Sequence, residues 1–307
     1  PKMANSAVQV HDFLADLAQR ARPFAESELA ELRKFAAHEL SLDELKPWDM
    51  AYAAERMKQA RYAFSSTELR QYFTEPRVLQ GLFGIAETLF DIQIRSDSAP
   101  VWHEDVRYFS LQRNGQTIGH FYLDLHARPG KQAGAWMDNA QQRWRRPDGQ
   151  GTQLPVAILV CNFAPPVQQG GRLRPALLSH DDLITLFHEF GHALHGLSSN
   201  VNYPSVAGTA VARDYVEFPS QLLEHWLSTP EILNRYALHY QTGKPIPAAL
   251  VAKIDAAEKF NQGFKTVEYL SSALVDMKLH LAGGQQIDPD KFERESLAAL
   301  GMPTEIV

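Results

Sequence analysis

The 307-residue chain is expected to fold as an α+β protein, predominantly α-helical, with a small, largely antiparallel sheet set between two groups of helices. Three observations predict this. Residues 8–95 are rich in strong helix formers, with apolar residues recurring at three- and four-residue spacing. After Ala99-Pro100 the pattern shortens to strand-like runs, two of them joined by Asn114-Gly115. From Ser179 the helical rhythm returns.

Within the first helical stretch, Ala25 to Ala37 places Leu29, Leu32 and Phe35-Ala36 along one face, and Trp48–Arg61 and Val78–Ile92 repeat the spacing. These faces read as core. Val106–Gln112 and Thr117–Leu125 read as the arms of a hairpin, because a type I′ turn needs positive φ at both central residues and Asn-Gly tolerates it. Val156–Phe163, closed by Pro165-Pro166, is a third strand; the polar, Gly-rich stretch 128–153 reads mostly as loop. Ser179 has the features of an N-cap with Asp182 three places on, so a helix is expected through Leu183–Leu197. Further helices are expected near 220–240, 248–281 and 289–299. The organisation expected is a helical segment over 1–100 and a catalytic region over 101–307.

Composition excludes several classes. With 45% hydrophobic and 21% charged residues the chain can bury a core, so a disordered or fibrous protein is not expected. Net charge is −6, and the one basic cluster, Arg143-Trp144-Arg145-Arg146, is too short to make nucleic acid the main partner. No run reaches the roughly 18 apolar residues of a membrane span. The single cysteine, Cys161, lies in an apolar strand-like run and reads as an inert core residue. One cysteine allows no internal disulfide, and the first residues lack a basic-then-apolar export pattern, so the cytoplasm is the expected compartment.

The chemistry concentrates in His188-Glu189-Phe190-Gly191-His192. Histidines four apart on a helix project from one face and can share a metal ion, with Glu189 placed to act as general base on a water at the ion's open position. A catalytic zinc site needs a third protein ligand. A histidine six places after His192 would mark one peptidase class, but Ser198 stands there. A glutamate nineteen places after His192 would mark another, but Val211 stands there. His195 shares the helix face, yet three ligands along one straight helix converge poorly, so it reads as a packing residue or a partner of a ligand. In Asp214-Tyr215-Val216-Glu217-Phe218-Pro219-Ser220-Gln221-Leu222-Leu223-Glu224, both Glu217 and Glu224 are candidates. Asp214 could accept a hydrogen bond from a ligand imidazole and fix its orientation.

Phe187-His188-Glu189-Phe190-Gly191-His192-Ala193-Leu194-His195, Gly208-Thr209 and Asp214–Gln221 together resemble the thimet oligopeptidase family, and within it the bacterial oligopeptidase A branch. The likeness extends through Trp102–Arg107, Phe121–Leu125, Gly134–Asp138 and Cys161–Pro166, about residues 100–225 in all. The resemblance implies a zincin-like (neurolysin-like) metallopeptidase core that binds one Zn²⁺ through His188, His192 and Glu217, with Glu189 as catalytic base. It implies cleavage of short peptide substrates in a channel that excludes folded proteins, with the strands before the motif helix forming a wall on which a peptide could pair.

The resemblance also implies parts that this sequence does not match. Family members are longer at both ends, and past the point matching Leu300-Gly301-Met302-Pro303 they carry a Gly-rich loop and a Tyr-rich helix that contact substrate. A truncated chain is therefore the expectation, with the substrate-contacting His and Tyr residues beyond Val307. The alternative weighed against a zinc endopeptidase is a zinc-binding but catalytically incompetent fragment that binds peptides or a partner. Cleavage preference and oligomeric state are not legible in the residues.

Overall fold

The computed structural model describes residues 3–63, 65–227, 229–257 and 259–302. Pro303 and the residues after it, and Ser228 and Glu258 inside two of the expected helical stretches, lie outside the described residues. In chain order the helices are α1 (Ala7–Glu39), α2 (Met50–Tyr62), α3 (Ser66–Arg70), α4 (Glu75–Phe90), α5 (His180–Leu197), α6 (Phe218–Glu224), α7 (Pro230–Tyr236), α8 (Ala248–Ala257), α9 (Gln262–Leu281) and α10 (Pro289–Ala299). The strands are β1 (Gln93–Asp97), β2 (Arg107–Arg113), β3 (Gln116–His126), β4 (Trp136–Gln141), β5 (Trp144–Arg145), β6 (Thr152–Gln153), β7 (Val156–Phe163), β8 (Val167–Gln169) and β9 (Arg172–Arg174).

The chain divides into two compact units, one spanning 65–247 and one in which the N-terminal helices join those after 248. In the second, helical unit, α1 packs along α9, and Leu32 and Ala36 of α1 share a core with Leu45, Ala53 and Met57. Glu28 ties the two long helices: its carboxylate accepts from Gly263 N (3.2 Å) and Phe264 N (2.7 Å). Those amides open α9 and have no partner within the helix, so an acidic acceptor there satisfies them and complements the positive end of the helix.

The other unit is built on a five-stranded sheet of order β1-β2-β3-β7-β4. β1–β2, β2–β3 and β7–β4 pair antiparallel, and β3–β7 pair parallel. The expected hairpin forms: Asn114 (φ 50°) and Gly115 (φ 73°) both adopt the left-handed conformation between β2 and β3. Along β3, Phe121, Leu123 and Leu125 are buried, and Ala157, Leu159, Cys161 and Phe163 line β7 in the same two-residue rhythm. Helix α5 presents Leu183, Leu186, Phe187, Phe190, Ala193, Leu194 and Leu197 to the interior. Phe190 packs 5.7 Å from Phe121 of the sheet and 5.6 Å from Phe83 of α4. Each such buried Leu or Phe contributes about 1.5–3 kcal/mol, so this face holds α5 firmly and fixes where its other face points.

The predominantly helical α+β class and the small, largely antiparallel sheet are as expected. Four local expectations need correction. The helical reading of 8–95 overran into β1, which is a strand because its backbone completes the edge beside β2. The stretch 128–153, expected mostly as loop, contains β4, whose polar residues pair with the apolar β7 at the other edge. Expected helix 220–240 is two helices, the second starting at Pro230 after Thr229, since proline suits a first helical turn. Expected helix 248–281 is also two, with Asn261 (φ 55°) turning the chain before α9. Among the described residues no helix is long and apolar enough to cross a membrane. Cys161 is fully buried, and burial pushes its thiol far above the ordinary range, which makes it a core residue and a poor nucleophile.

Candidate metal centre

The site begins with the start of α5. Ser179 Oγ accepts from Asp182 N (3.1 Å) while the Asp182 carboxylate accepts from Ser179 N (2.7 Å), a reciprocal capping box that sets the first turn. Two turns later His188 and His192 stand one turn apart, and their Nε2 atoms approach to 3.2 Å. Glu217 comes from the residue that caps the N-terminus of α6. Its Oε2 lies 3.1 Å from His188 Nε2 and 3.0 Å from His192 Nε2. Among the described residues these three are the only group of His, Cys, Asp or Glu whose ligand atoms converge in this way.

The triangle fits a metal ion. Donors about 2.0–2.1 Å from a tetrahedral zinc stand about 3.3 Å from one another, close to the 3.0–3.2 Å edges found here. Two imidazoles and one carboxylate are also a donor set of the kind seen at catalytic zinc sites that keep a fourth position open. His188 Nδ1 faces Glu224 Oε1 at 2.6 Å, so a carboxylate that can only accept fixes the proton on Nδ1 and leaves the Nε2 lone pair for a metal. Burial pushes His192 below the ordinary imidazole range, against the pull of Glu217, which favours the neutral, ligating form. Glu189 is half-buried beside this group; burial pushes its carboxyl upward, with His188 opposing and the charge of Glu217 adding.

Convergence depends on α6 lying close to α5, and Gly191 permits it. A Cβ at Gly191 would sit 2.5 Å from Ser220 Cα, backbone that cannot yield cheaply, and a tight 3.1 Å from the Pro219 carbonyl oxygen. Ser220 is fully buried at this contact, and its Oγ donates toward both Glu217 O (2.9 Å) and Glu217 Oε2 (3.0 Å).

Of the two glutamates that spacing left open, the structure sets Glu217 against both imidazoles and Glu224 against the far side of one. Asp214 lies in the short 3₁₀ turn Arg213–Tyr215 that leads to Glu217. His195 stays outside the converging three; its ring packs edge-on 6.2 Å from Tyr215, and its Nδ1 is buried without a hydrogen-bond partner among the described residues. The residue that sequence reasoning missed is Ser220. The seven-residue step from Glu217 to Glu224, two helical turns, was the signal that both carboxylates face α5.

Comparison with known proteins finds peptidases. Oligopeptidase A of Escherichia coli (strain K12) is 45% identical over 282 residues, covering 91% of this chain and 41% of that protein. Oligopeptidase A of Salmonella typhimurium is 44% identical over 311 residues, 99% of this chain and 45% of its own length. Dipeptidyl carboxypeptidase of Escherichia coli is 37% identical over 306 residues, 98% and 44% respectively. The chain thus spans less than half the length of these curated relatives. The profile of peptidase family M3 matches residues 1–301. The chain belongs to peptidase family M3.

Proposed function

We propose that this chain carries the zinc-binding and water-activating machinery of a metalloendopeptidase that hydrolyses short peptides. The observation that carries the reading is the convergence of His188 Nε2, His192 Nε2 and Glu217 Oε2 within 3.0–3.2 Å, with Glu189 on the same helix directly after the first ligand. When bound there, zinc supplies Lewis acidity, polarising a carbonyl and acidifying water to a pKa near 7. Glu189 takes the proton from the water that attacks the scissile carbonyl and delivers it to the departing amine nitrogen. His188 and His192 would hold the ion through Nε2, the first oriented by Glu224 through Nδ1. The polar strand β4, an outer strand of the sheet, is the wall on which an extended substrate would pair. A chain with one buried, unpaired cysteine suits the reducing cytoplasm, the compartment proposed.

The test is metal content and peptide cleavage together. Purified protein is expected to hold one zinc per chain by mass spectrometric metal analysis, and a chelator is expected to abolish cleavage of a quenched short peptide until zinc is restored. A folded protein without stoichiometric zinc would end the reading. Internal cleavage is expected; a digest yielding only C-terminal dipeptides would transfer the reading to the activity in the name of the dipeptidyl carboxypeptidase relative.

Glu224 gives a second expectation. Replacing it by Ala leaves the His188 Nδ1 proton without its acceptor, and zinc affinity is expected to fall about 10–100-fold, measured by competition with a chromophoric chelator. Unchanged affinity would mean that the 2.6 Å contact has no part in holding the metal.

A further inference from the structure

Of the three converging side chains, the glutamate is the least enclosed. Glu217 is 52% exposed, against 26% for His188 and 11% for His192. The two imidazoles are held by the packed helix that bears them; a glutamate at the cap before a seven-residue helix, making no side-chain capping bond, has only its own rotamer preferences to aim it. Among the described residues, one hydroxyl donates to Oε2. Ser220 is completely buried, its Oγ sits 3.0 Å from Glu217 Oε2, and its backbone is seated against the bare face of Gly191. With solvent excluded, that hydroxyl can spend its proton only on the Glu217 carbonyl or on the ligand oxygen itself.

We propose that Ser220 is a metal-site positioning residue, whose buried hydroxyl, docked on Gly191, donates to Glu217 Oε2 and holds the carboxylate in its ligating orientation. This rests on the zinc reading given above. The rival account is that the hydroxyl is an ordinary back-bond to the carbonyl three residues earlier, which serves the helix and not the metal. The two differ in what they move. A positioning role acts on metal affinity and on the geometry of coordination; a helix-start role acts on folding alone.

The experiment compares wild type with Ser220→Ala in the full chain, using zinc alone as ligand and cobalt as a spectroscopic probe. Expected are a 10–100-fold rise in the zinc Kd, shifted cobalt absorption bands, and an unchanged melting temperature of the metal-free protein. In a Glu217→Ala background the same change is expected to add nothing, because the carboxylate it acts through is gone. Should the Ala variant misfold, Ser220→Cys keeps the shape with a weaker donor and is expected to weaken zinc in the same direction. Wild type that binds zinc, with either folded variant matching its Kd and cobalt spectrum, would overturn the proposal and leave the zinc reading standing. Wild type that binds no zinc would overturn both.

Discussion

Replacing Glu189 with Gln is expected to lower kcat for a short peptide by about 10²–10⁴-fold while zinc content stays at one per chain. The substitution keeps the side chain's size and removes its ability to take a proton. Glu189 is not one of the converging ligand atoms, so the metal triangle should survive. Its place in α5 is set by neighbours it does not touch chemically: Phe187 and Phe190, both fully buried, lock the helix on either side of it. The loss should therefore appear in kcat with KM little changed, since an interaction made only in the transition state is removed. Parallel loss of zinc would show that Glu189 is part of the metal-holding set. Activity within threefold of wild type would remove it from the chemistry.

The helix that carries Glu189 was legible because α5 has clear boundary signals in Ser179 and Asp182, and the role proposed for Glu189 rests on one local rule, helical spacing between two histidines. The β2–β3 hairpin was legible for the same reason: Asn114-Gly115 encodes its own turn. What escaped notice was set by partners distant in sequence. β4 reads Trp136-Met137-Asp138-Asn139-Ala140-Gln141, with no apolar alternation, and becomes a strand only because β7 offers it an open row of hydrogen-bonding groups. The parallel β3–β7 pairing brings together strands separated by a long crossover, which no short window records. The joining of α1 to α9 in one unit has no local signature either. In the site, spacing could put Glu217 and Glu224 on one side of α6 but not say which nitrogen each would meet, because the His188 ring orientation is decided by packing between helices. Ser220 was invisible for a related reason. Its importance comes from the missing Cβ at Gly191, twenty-nine positions earlier in the chain.

Replacing Asp124 with Asn is expected to cost about 3–5 kcal/mol of folding stability at pH 7, measured by denaturant unfolding. Asp124 is 2% exposed near the end of β3 and gathers four donors on its two oxygens. Oδ1 accepts from Arg128 Nη1 (2.6 Å) and Lys131 Nζ (2.8 Å); Oδ2 accepts from Arg128 Nη2 (2.8 Å) and Trp102 Nε1 (2.9 Å). The Lys131 ammonium, itself nearly buried, also donates to the carbonyl oxygens of Asp124, His126 and Cys161. An amide cannot replace this centre. It would turn an N–H₂ toward donors on one side and leave the arginine and the lysine as like charges without the carboxylate they share. The cluster also anchors the turn after β3 to β7, where Asn162 Nδ2 donates to Gln132 O (2.8 Å) and Gly134 O (2.7 Å) just before β4 begins.

The pH dependence has a definite sign. Although burial alone would raise it, the hydrogen bonds from Arg128, Lys131 and Trp102 hold the Asp124 carboxyl far below the usual carboxylate range. A depressed folded-state pKa means that the unfolded chain binds the proton more readily. This contribution is therefore complete above the unfolded value of about 4 and is lost as pH falls further. Wild type should lose stability on acidification below about pH 4–5 more steeply than Asp124→Asn, so the gap between them narrows as pH falls. A loss under 1 kcal/mol at pH 7, or parallel pH curves, would show that the charge at Asp124 is dispensable and that β4 is held in place by strand pairing to β7 alone.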